Sequence, residues 1–129
     1  MPPTPLPKPE KLRALVLYGH RQTADTLGEL LAVCGQDVHV AYDGAMACGL
    51  ARKHRPDVVL LDLRMYGLDV GRWLRQQPEF RDTALVAIIE PEQEEAGLCT
   101  REHGFTHYLV EPVDPVQVQV LVKKLKNPR

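Results

Sequence analysis

The sequence predicts an α/β fold in which helices cover both faces of a five-stranded parallel sheet. Short apolar segments alternate with amphipathic helical segments five times along the chain. Strands that are apolar at nearly every position are typical of parallel sheets buried on both sides. The 129 residues, 44% hydrophobic and 26% charged, have the length and composition of one globular domain.

The strands are predicted from apolar runs that are bounded by turn and capping residues. Their ranges are residues 12–17, 38–41, 58–61, 85–89 and 108–110. Asp62 directly follows the third run, which is entered through Arg55, Pro56 and Asp57. Because α/β proteins place ligands and chemistry at the carboxyl ends of parallel strands, Asp62 is a candidate reactive carboxylate. The ends of the first, fourth and fifth strands are expected at the same edge.

The helices are predicted from apolar residues at helical spacing and from their end signals. The first helix ends at Gly35 and has one apolar face, formed by Ala24, Leu27, Leu30, Leu31 and Cys34. Asp43 caps the second helix, which stops before Pro56. The third helix is predicted over residues 68–76 and the fourth over residues 92–103.

The last segment fits two kinds of secondary structure. A strand is suggested by alternating valines, namely Val116, Val118, Val120 and Val122. A helix is suggested by a different face, formed by Val118, Leu121, Val122 and Leu125. Asp114 supplies an N-cap, Pro115 suits the first helical position, and Gln117 suits the capping box, so we predict a helix.

The chain is predicted to consist of a tail and one domain. Residues 1–10 hold five of the 11 prolines and are expected to be a flexible tail, with a proline-motif recognition peptide as the alternative. The domain is predicted over residues 11–127.

Charge, hydropathy and cysteine usage exclude several function classes. The net charge of −1 predicts no binding to nucleic acid or to an anionic membrane. We expect no membrane span and no signal peptide, because the apolar segments are too short. Three scattered cysteines, Cys34, Cys48 and Cys99, favour reduced thiols in a cytoplasmic protein over disulfides or a zinc site.

The order and spacing of these segments resemble the receiver domain of bacterial two-component response regulators, over residues 12–126. Residues 55–63, around Asp62, are similar to the phosphoacceptor strand of that family. Gly67 matches the glycine of the following loop, and Glu111 and Pro112 align with its Lys-Pro motif. The resemblance implies a flavodoxin-like fold with strand order 2-1-3-4-5.

The resemblance also implies a phosphotransfer mechanism that needs five chemical groups. A histidine kinase passes a phosphoryl group to the aspartate, which binds Mg²⁺ together with two acidic residues after the first strand. A Ser or Thr after the fourth strand and a Lys after the fifth contact the phosphoryl oxygens. This chain carries Tyr18 and Gly19 at the acidic positions, Ile89 at the hydroxyl position and Glu111 at the lysine position. Only Asp62 remains.

These replacements are expected to disable the chemistry. Mg²⁺ needs near-octahedral oxygen ligands and should bind weakly or not at all. A glutamate in place of the lysine turns attraction into repulsion, about 4 kcal/mol for unit charges 4 Å apart at an effective dielectric of about 20. Phosphotransfer to Asp62 is therefore expected to be absent or very slow. Tyr66 stands where the family has a proline, whereas Tyr108 matches its switch aromatic.

Asp62 then needs a structural partner. Arg64, His20 and Arg21 are the candidates at this sheet edge, and we predict a neutralised, static carboxylate. The alternative is a repurposed cation site that uses Asp62, Glu90 and Glu111.

Three functions are compatible with these observations. The leading prediction is a degenerate receiver domain that binds signalling partners, or a second copy of itself, through the surface of the fourth helix, fifth strand and fifth helix. The second is a working phosphoacceptor at Asp62, and the third is a small-ligand or cation binder. An independent enzyme is not expected, because the sequence has no Ser/His/Asp spacing, P-loop or GxGxxG motif.

Overall fold

The structure is a computed structural model that describes residues 11–64, 67–95 and 101–126. Five strands lie in these residues: β1 (Arg13–Leu17), β2 (Asp37–Ala41), β3 (Val58–Asp62), β4 (Ala84–Ile89) and β5 (His107–Val110). They form one parallel sheet in the order β2-β1-β3-β4-β5. The predicted fold class and strand order are confirmed. The predicted tail, Tyr66 and Cys99 lie outside the described residues.

The strands alternate with helices, as predicted. The α-helices are α1 (Arg21–Val33), α2 (Gly44–His54), α3 (Gly67–Gln76), α4 (Pro91–Glu95) and α5 (Pro115–Lys126). Single 3₁₀ turns occupy Pro78–Phe80 and Arg101–His103.

The fourth helix differs from its prediction over residues 92–103. It begins at Pro91 and is described as far as Glu95, and residues 96–100 lie outside the described part. Arg101–His103 is a 3₁₀ turn, not α-helix. The turn is tight because the N–H of Gly104 bonds to the carbonyl of Arg101 at 3.0 Å, and Gly104 takes a φ of 89° that favours glycine.

The last segment is a helix, which resolves its ambiguous pattern. The Asp114 carboxylate accepts a hydrogen bond from the backbone N–H of Val116 at 2.9 Å, as an N-cap does. Val118, Leu121 and Val122 are buried. Val116 and Val120 point to solvent, so the alternating valines do not mark a strand.

Two apolar layers enclose the sheet, and every residue of β3 is buried. Along β1, alternate side chains enter opposite layers, because successive side chains of a strand point to opposite faces. The first layer packs α1 and α5 against Val16 and Leu60, and the second packs α2 and α3 against Leu17 and Leu61. Burial on both faces explains the continuous apolar runs.

Side chains cap the first two helices. Asp43 accepts from the backbone N–H of Met46 at 2.8 Å and begins α2, as predicted. His20 begins α1 by accepting from the backbone N–H of Thr23 at 3.2 Å, a cap that the sequence pattern did not indicate. In the part of the chain that the structure describes, no helix has the length and hydropathy to cross a membrane.

Candidate functional site

The parallel topology gathers four functional side chains at the carboxyl edge of the sheet. Asp62 ends β3, Tyr18 directly follows β1, Glu90 directly follows β4, and Glu111 directly follows β5. Asp62 and Tyr18 are each only 2% exposed. The edge therefore presents an almost completely buried carboxylate with two further carboxylates beside it.

Arg64 connects these side chains. Its Nε–H and its backbone N–H both donate to Asp62 Oδ1, at 3.1 and 3.0 Å. Its Nη1 donates to Glu90 Oε1 at 2.7 Å. Its Nη2 donates to the Tyr18 hydroxyl at 2.6 Å and to Glu111 Oε1 at 3.1 Å. One guanidinium thus bridges residues from four strand ends.

The Nη2 atom of Arg64 has fewer hydrogens to donate than there are acceptors around it. That nitrogen carries two hydrogens. Three acceptors lie around it: the Tyr18 hydroxyl, Glu111 Oε1, and Asp62 Oδ2 at 3.4 Å. Three carboxylates also share a single positive charge. The group around Arg64 consequently retains excess negative charge.

The electrostatics of the group favour a charged arginine. The hydrogen bond to Asp62, followed by that to Glu90, raises the pKa of Arg64, although partial burial opposes the shift. Burial raises the pKa of Glu111. Burial therefore disfavours the charged form of the Glu111 carboxyl group.

The other two candidate partners of Asp62 are engaged elsewhere. The His20 ring caps α1 and contacts the Thr23 hydroxyl, with Nδ1 and Oγ1 2.8 Å apart. The Arg21 guanidinium lies over the Tyr42 ring, 4.1 Å from its centroid. Arg64 is therefore the partner that the structure brings to Asp62.

Among the described positions singled out in the sequence, Gly19, Ile89 and Tyr108 bring no phosphate-binding group to Asp62. Gly19 follows Tyr18 and has no side chain, and Ile89 is buried in the second apolar layer. Tyr108, at the switch-aromatic position, is 50% exposed on β5. It lies on the surface of β5 and α5, away from the group around Arg64.

Gly67 is required for the close approach of α3 to β3. A Cβ atom at this position would lie 2.5 Å from the carbonyl oxygen of Asp62 and 2.9 Å from its carbonyl carbon. Real Cβ atoms do not approach backbone so closely, so a larger residue would push α3 away from the carboxylate. The glycine therefore helps to fix the backbone on which Asp62 is held.

Sequence comparison identifies the family. The profile described as "Response regulator receiver domain" matches residues 15–123, almost the whole chain. This chain belongs to the response regulator receiver domain family. Its members in two-component signalling interact with histidine kinases and other signalling proteins.

Curated relatives of this receiver domain include two response regulators. It is 28% identical over 88 residues to the polar-differentiation response regulator DivK of Brucella anthropi. That match covers 66% of this chain and 72% of DivK. It is 32% identical over 92 residues to the response regulator PleD of Caulobacter vibrioides. That match covers 69% of this chain and 20% of PleD, so the receiver domain corresponds to a small part of PleD.

Solved structures with the same fold include a putative response regulator from Chloroflexus aurantiacus. It has a TM-score of 0.80 at 23% identity and covers 93% of this chain and all of that chain. The chemotaxis response regulator CheY4 of Vibrio cholerae has a TM-score of 0.77 at 23% identity, covering 89% of this chain and 98% of that one. At these identities the likeness concerns the fold.

The residues of this receiver domain do not fit the Mg²⁺ that the family resemblance implies. Asp62 is the only carboxylate among the three implied ligand positions, and both of its oxygens face Arg64. Gly19 offers no ligand, and the Tyr18 hydroxyl accepts from Arg64. Within residues 11–64, 67–95 and 101–126, no cluster of three or more His, Cys, Asp or Glu side chains is arranged to hold a metal ion.

The sequence pattern indicated Arg64 only as one of three candidate partners of Asp62. The sequence indicated Glu90 and Glu111 at this edge but not their bonds to Arg64, and it placed Tyr18 at an acidic position without predicting its hydrogen bond. A signal was available: Arg64 lies two residues after Asp62, where both its backbone N–H and its side chain can reach back to the same carboxylate.

Proposed function

We propose that this receiver domain signals without phosphorylation of Asp62, as a protein-interaction module of two-component signalling. The observation that carries the proposal is the Arg64 guanidinium, which binds Asp62, Glu90 and Glu111 together. The proposed module carries out no reaction of its own and holds Mg²⁺ weakly or not at all. We place it in the cytoplasm, where half-buried thiols such as Cys34 and Cys48 stay reduced.

Phosphotransfer would require an oxygen of Asp62 to attack an anionic phosphoryl group. Oδ1 already accepts two hydrogen bonds from Arg64, and Asp62 is 2% exposed. Withdrawing Arg64 would leave a buried carboxylate without its counter-ion, which is costly. Glu90 and Glu111 would then repel the incoming phosphoryl group instead of holding it.

One observation favours a working phosphoacceptor as the second candidate function. Arg64 places a fixed positive charge beside Asp62, and a guanidinium can stabilise phosphoryl oxygens with two parallel hydrogen bonds. In this alternative, Arg64 would turn from the carboxylate to the phosphoryl group and take over part of the charge neutralisation. The two candidates differ in whether Asp62 accepts a phosphoryl group.

The interaction surface that we propose is the β5–α5 face, defined by Tyr108, Val116, Val120 and Lys124. Tyr108, Val116 and Val120 are 50–61% exposed although they are apolar or aromatic. A surface cleft of about 750 Å³ runs between β5 and α5 along these residues. Large exposed apolar side chains that adjoin one another are typical of protein-binding surfaces.

The first experiment incubates the purified protein with acetyl phosphate and Mg²⁺ and measures intact mass. We expect no stoichiometric gain of a phosphoryl group. A matched variant restores the family's phosphorylation site with the substitutions Tyr18→Asp, Gly19→Asp, Ile89→Thr and Glu111→Lys. The same variant carries Arg64→Ala, which removes the ion-pair partner of Asp62. Rapid phosphorylation of the unaltered protein, abolished by Asp62→Asn, would establish the phosphoacceptor function instead.

The second experiment tests the β5–α5 face as a homodimer surface. Sedimentation velocity over a concentration series should show self-association that Val120→Asp weakens. Val33→Asp is the matched control, because Val33 is 85% exposed at the end of α1, outside the proposed face. A monomer at all concentrations would exclude the homodimer, and equal effects of the two substitutions would exclude this face.

A further inference from the structure

We propose that the cleft beside Arg64 binds a small organic cation, an amine carried on an apolar body. This cleft is called the α1 cleft. Its lining includes the apolar side chains of Leu27, Leu30 and Val113, the guanidinium of Arg64, and three glutamates, Glu90, Glu92 and Glu111, which together are called the acidic wall. Its ligand would differ from the phosphoryl group and the Mg²⁺ that the receiver family implies.

The size and lining of the α1 cleft suit a small ligand. Its volume is about 980 Å³, near the upper end of the range for small-molecule sites in proteins. Leu27 belongs to the buried layer under α1, and Leu30 and Val113 pack against that layer from its margin. A lining of apolar side chains with a few polar groups among them is typical of sites that orient an amphipathic ligand.

The charges of the α1 cleft decide the class of ligand. Three carboxylates line it, against one guanidinium and one imidazole, that of His20. Glu92 is exposed at the start of α4 and adds to the negative charge. An anionic ligand would meet net repulsion, whereas an ammonium group would find acceptor oxygens on the acidic wall.

The hydrogen bonds of Arg64 give a second, independent reason for a cation. Three acceptors surround the two hydrogens of Nη2, so Glu111 shares its donor with Tyr18 and Asp62. The Glu111 side chain is only 19% exposed, and burial raises its pKa. An ammonium group would offer this carboxylate a donor that Tyr18 and Asp62 do not share.

The test is a titration of the ¹⁵N-labelled protein with three probes, in which binding is measured from the shifts of the backbone amide signals. 2-Phenylethylamine has both the charge and the apolar body, 3-phenylpropanoate has the body with the opposite charge, and methylamine has the charge alone. We expect saturable shifts with the first probe at residues of the α1 cleft, in the millimolar range usual for so small a ligand. The other two probes should bind much more weakly.

Matched variants test the acidic wall. Glu92→Gln should weaken binding of 2-phenylethylamine roughly two- to five-fold, the range expected for one exposed ion pair. Glu95→Gln is the control, because Glu95 is exposed on the same helix and does not line the cleft. It should leave the affinity unchanged, and the spectra themselves report whether both variants are folded.

Several results would overturn the proposal. Equal binding of 2-phenylethylamine and 3-phenylpropanoate would remove the argument from charge. Shifts that do not saturate, or that map away from the α1 cleft, would show that the amine has no site there. Equal affinities of Glu92→Gln and Glu95→Gln for the amine would show that the acidic wall does not contribute to binding. If an amphipathic lysine-bearing peptide binds and the amine does not, the cleft is a protein-docking groove.

Discussion

Replacing Arg64 with Met should destabilise the receiver domain by about 2–4 kcal/mol. The change removes the guanidinium but keeps an unbranched apolar stem of similar reach. The loss arises because Asp62, 2% exposed, would remain in the fold without its counter-ion. Glu90 and Glu111 would lose their bonds to Arg64 as well.

The magnitude follows from the exposure of each group. Removing one partner of a fully buried ion pair costs about 3–5 kcal/mol. The Arg64 side chain is 39% exposed, so water reaches the site, and the backbone N–H of residue 64 still donates to Asp62 Oδ1. These two facts reduce the Asp62 contribution to about 2–3 kcal/mol. The ion pair between Arg64 and Glu90, in which each side chain is more than a third exposed, adds at most about 1 kcal/mol.

The assay is urea unfolding followed by the fluorescence of Trp73, the single tryptophan, whose ring centroid lies 6.1 Å from that of Phe80. Arg13→Met is the matched control, because Arg13 pairs with Asp57 at 3.5 Å on the surface. Its loss should be at most about 1 kcal/mol. A small single domain is expected to unfold in one transition, so the two midpoints can be compared directly.

The result that would refute this reasoning is a loss for Arg64→Met no larger than that for Arg13→Met. A double-mutant cycle with Asp62→Asn adds a sharper test. If Arg64 mainly neutralises Asp62, the two substitutions should couple by more than about 1 kcal/mol. Additive losses would mean that the two side chains do not depend on each other.

Two further predictions concern a glycine and a histidine. Gly67→Ala should lower the free energy of unfolding by about 1–3 kcal/mol, because its Cβ would meet the backbone of Asp62. Gly49→Ala is the control: it lies in α2 with open space around the new Cβ and should raise the free energy of unfolding by about 0.5–1 kcal/mol. Equal effects of the two substitutions in urea unfolding would contradict the close approach of residue 67 to the backbone of Asp62. Burial, and then Lys124, lowers the pKa of His107. The unfolded chain therefore binds that proton more readily, so stability should fall as pH drops below about 6.5, the unfolded histidine pKa. His107→Gln should flatten this pH dependence of the urea midpoint, and an unchanged slope would exclude His107 as its source.

Local patterns predicted most of the fold, because each signal acts within a few residues. Asp43 caps α2 and Asp114 caps α5 as their positions indicated. The continuous apolar runs became the buried strands of a parallel sheet. The fourth helix was the least accurate element, because the tight turn before Gly104 depends on a backbone conformation that apolar spacing does not encode.

The site was only partly predictable for a different reason. The residues around it were named, because a parallel sheet brings the ends of its strands to one edge. The cation that neutralises Asp62 depends on competing contacts. His20 caps α1 and Arg21 lies over the Tyr42 ring, which leaves Arg64 as the partner. The Arg21–Tyr42 contact joins residues from separate elements, about which sequence spacing carries no information, whereas the His20 cap is local to the start of α1.

The sequence by itself determined the alternation of strands and helices, the position of Asp62 at a strand end and the absence of the lysine and the acidic pair. These are properties of single positions and short periods. Only the tertiary structure decided that one guanidinium would bridge Asp62, Glu90, Glu111 and Tyr18. That arrangement depends on distances between four strand ends, which the packing of α1 and α5 on one face and α2 and α3 on the other sets to within hydrogen-bonding reach.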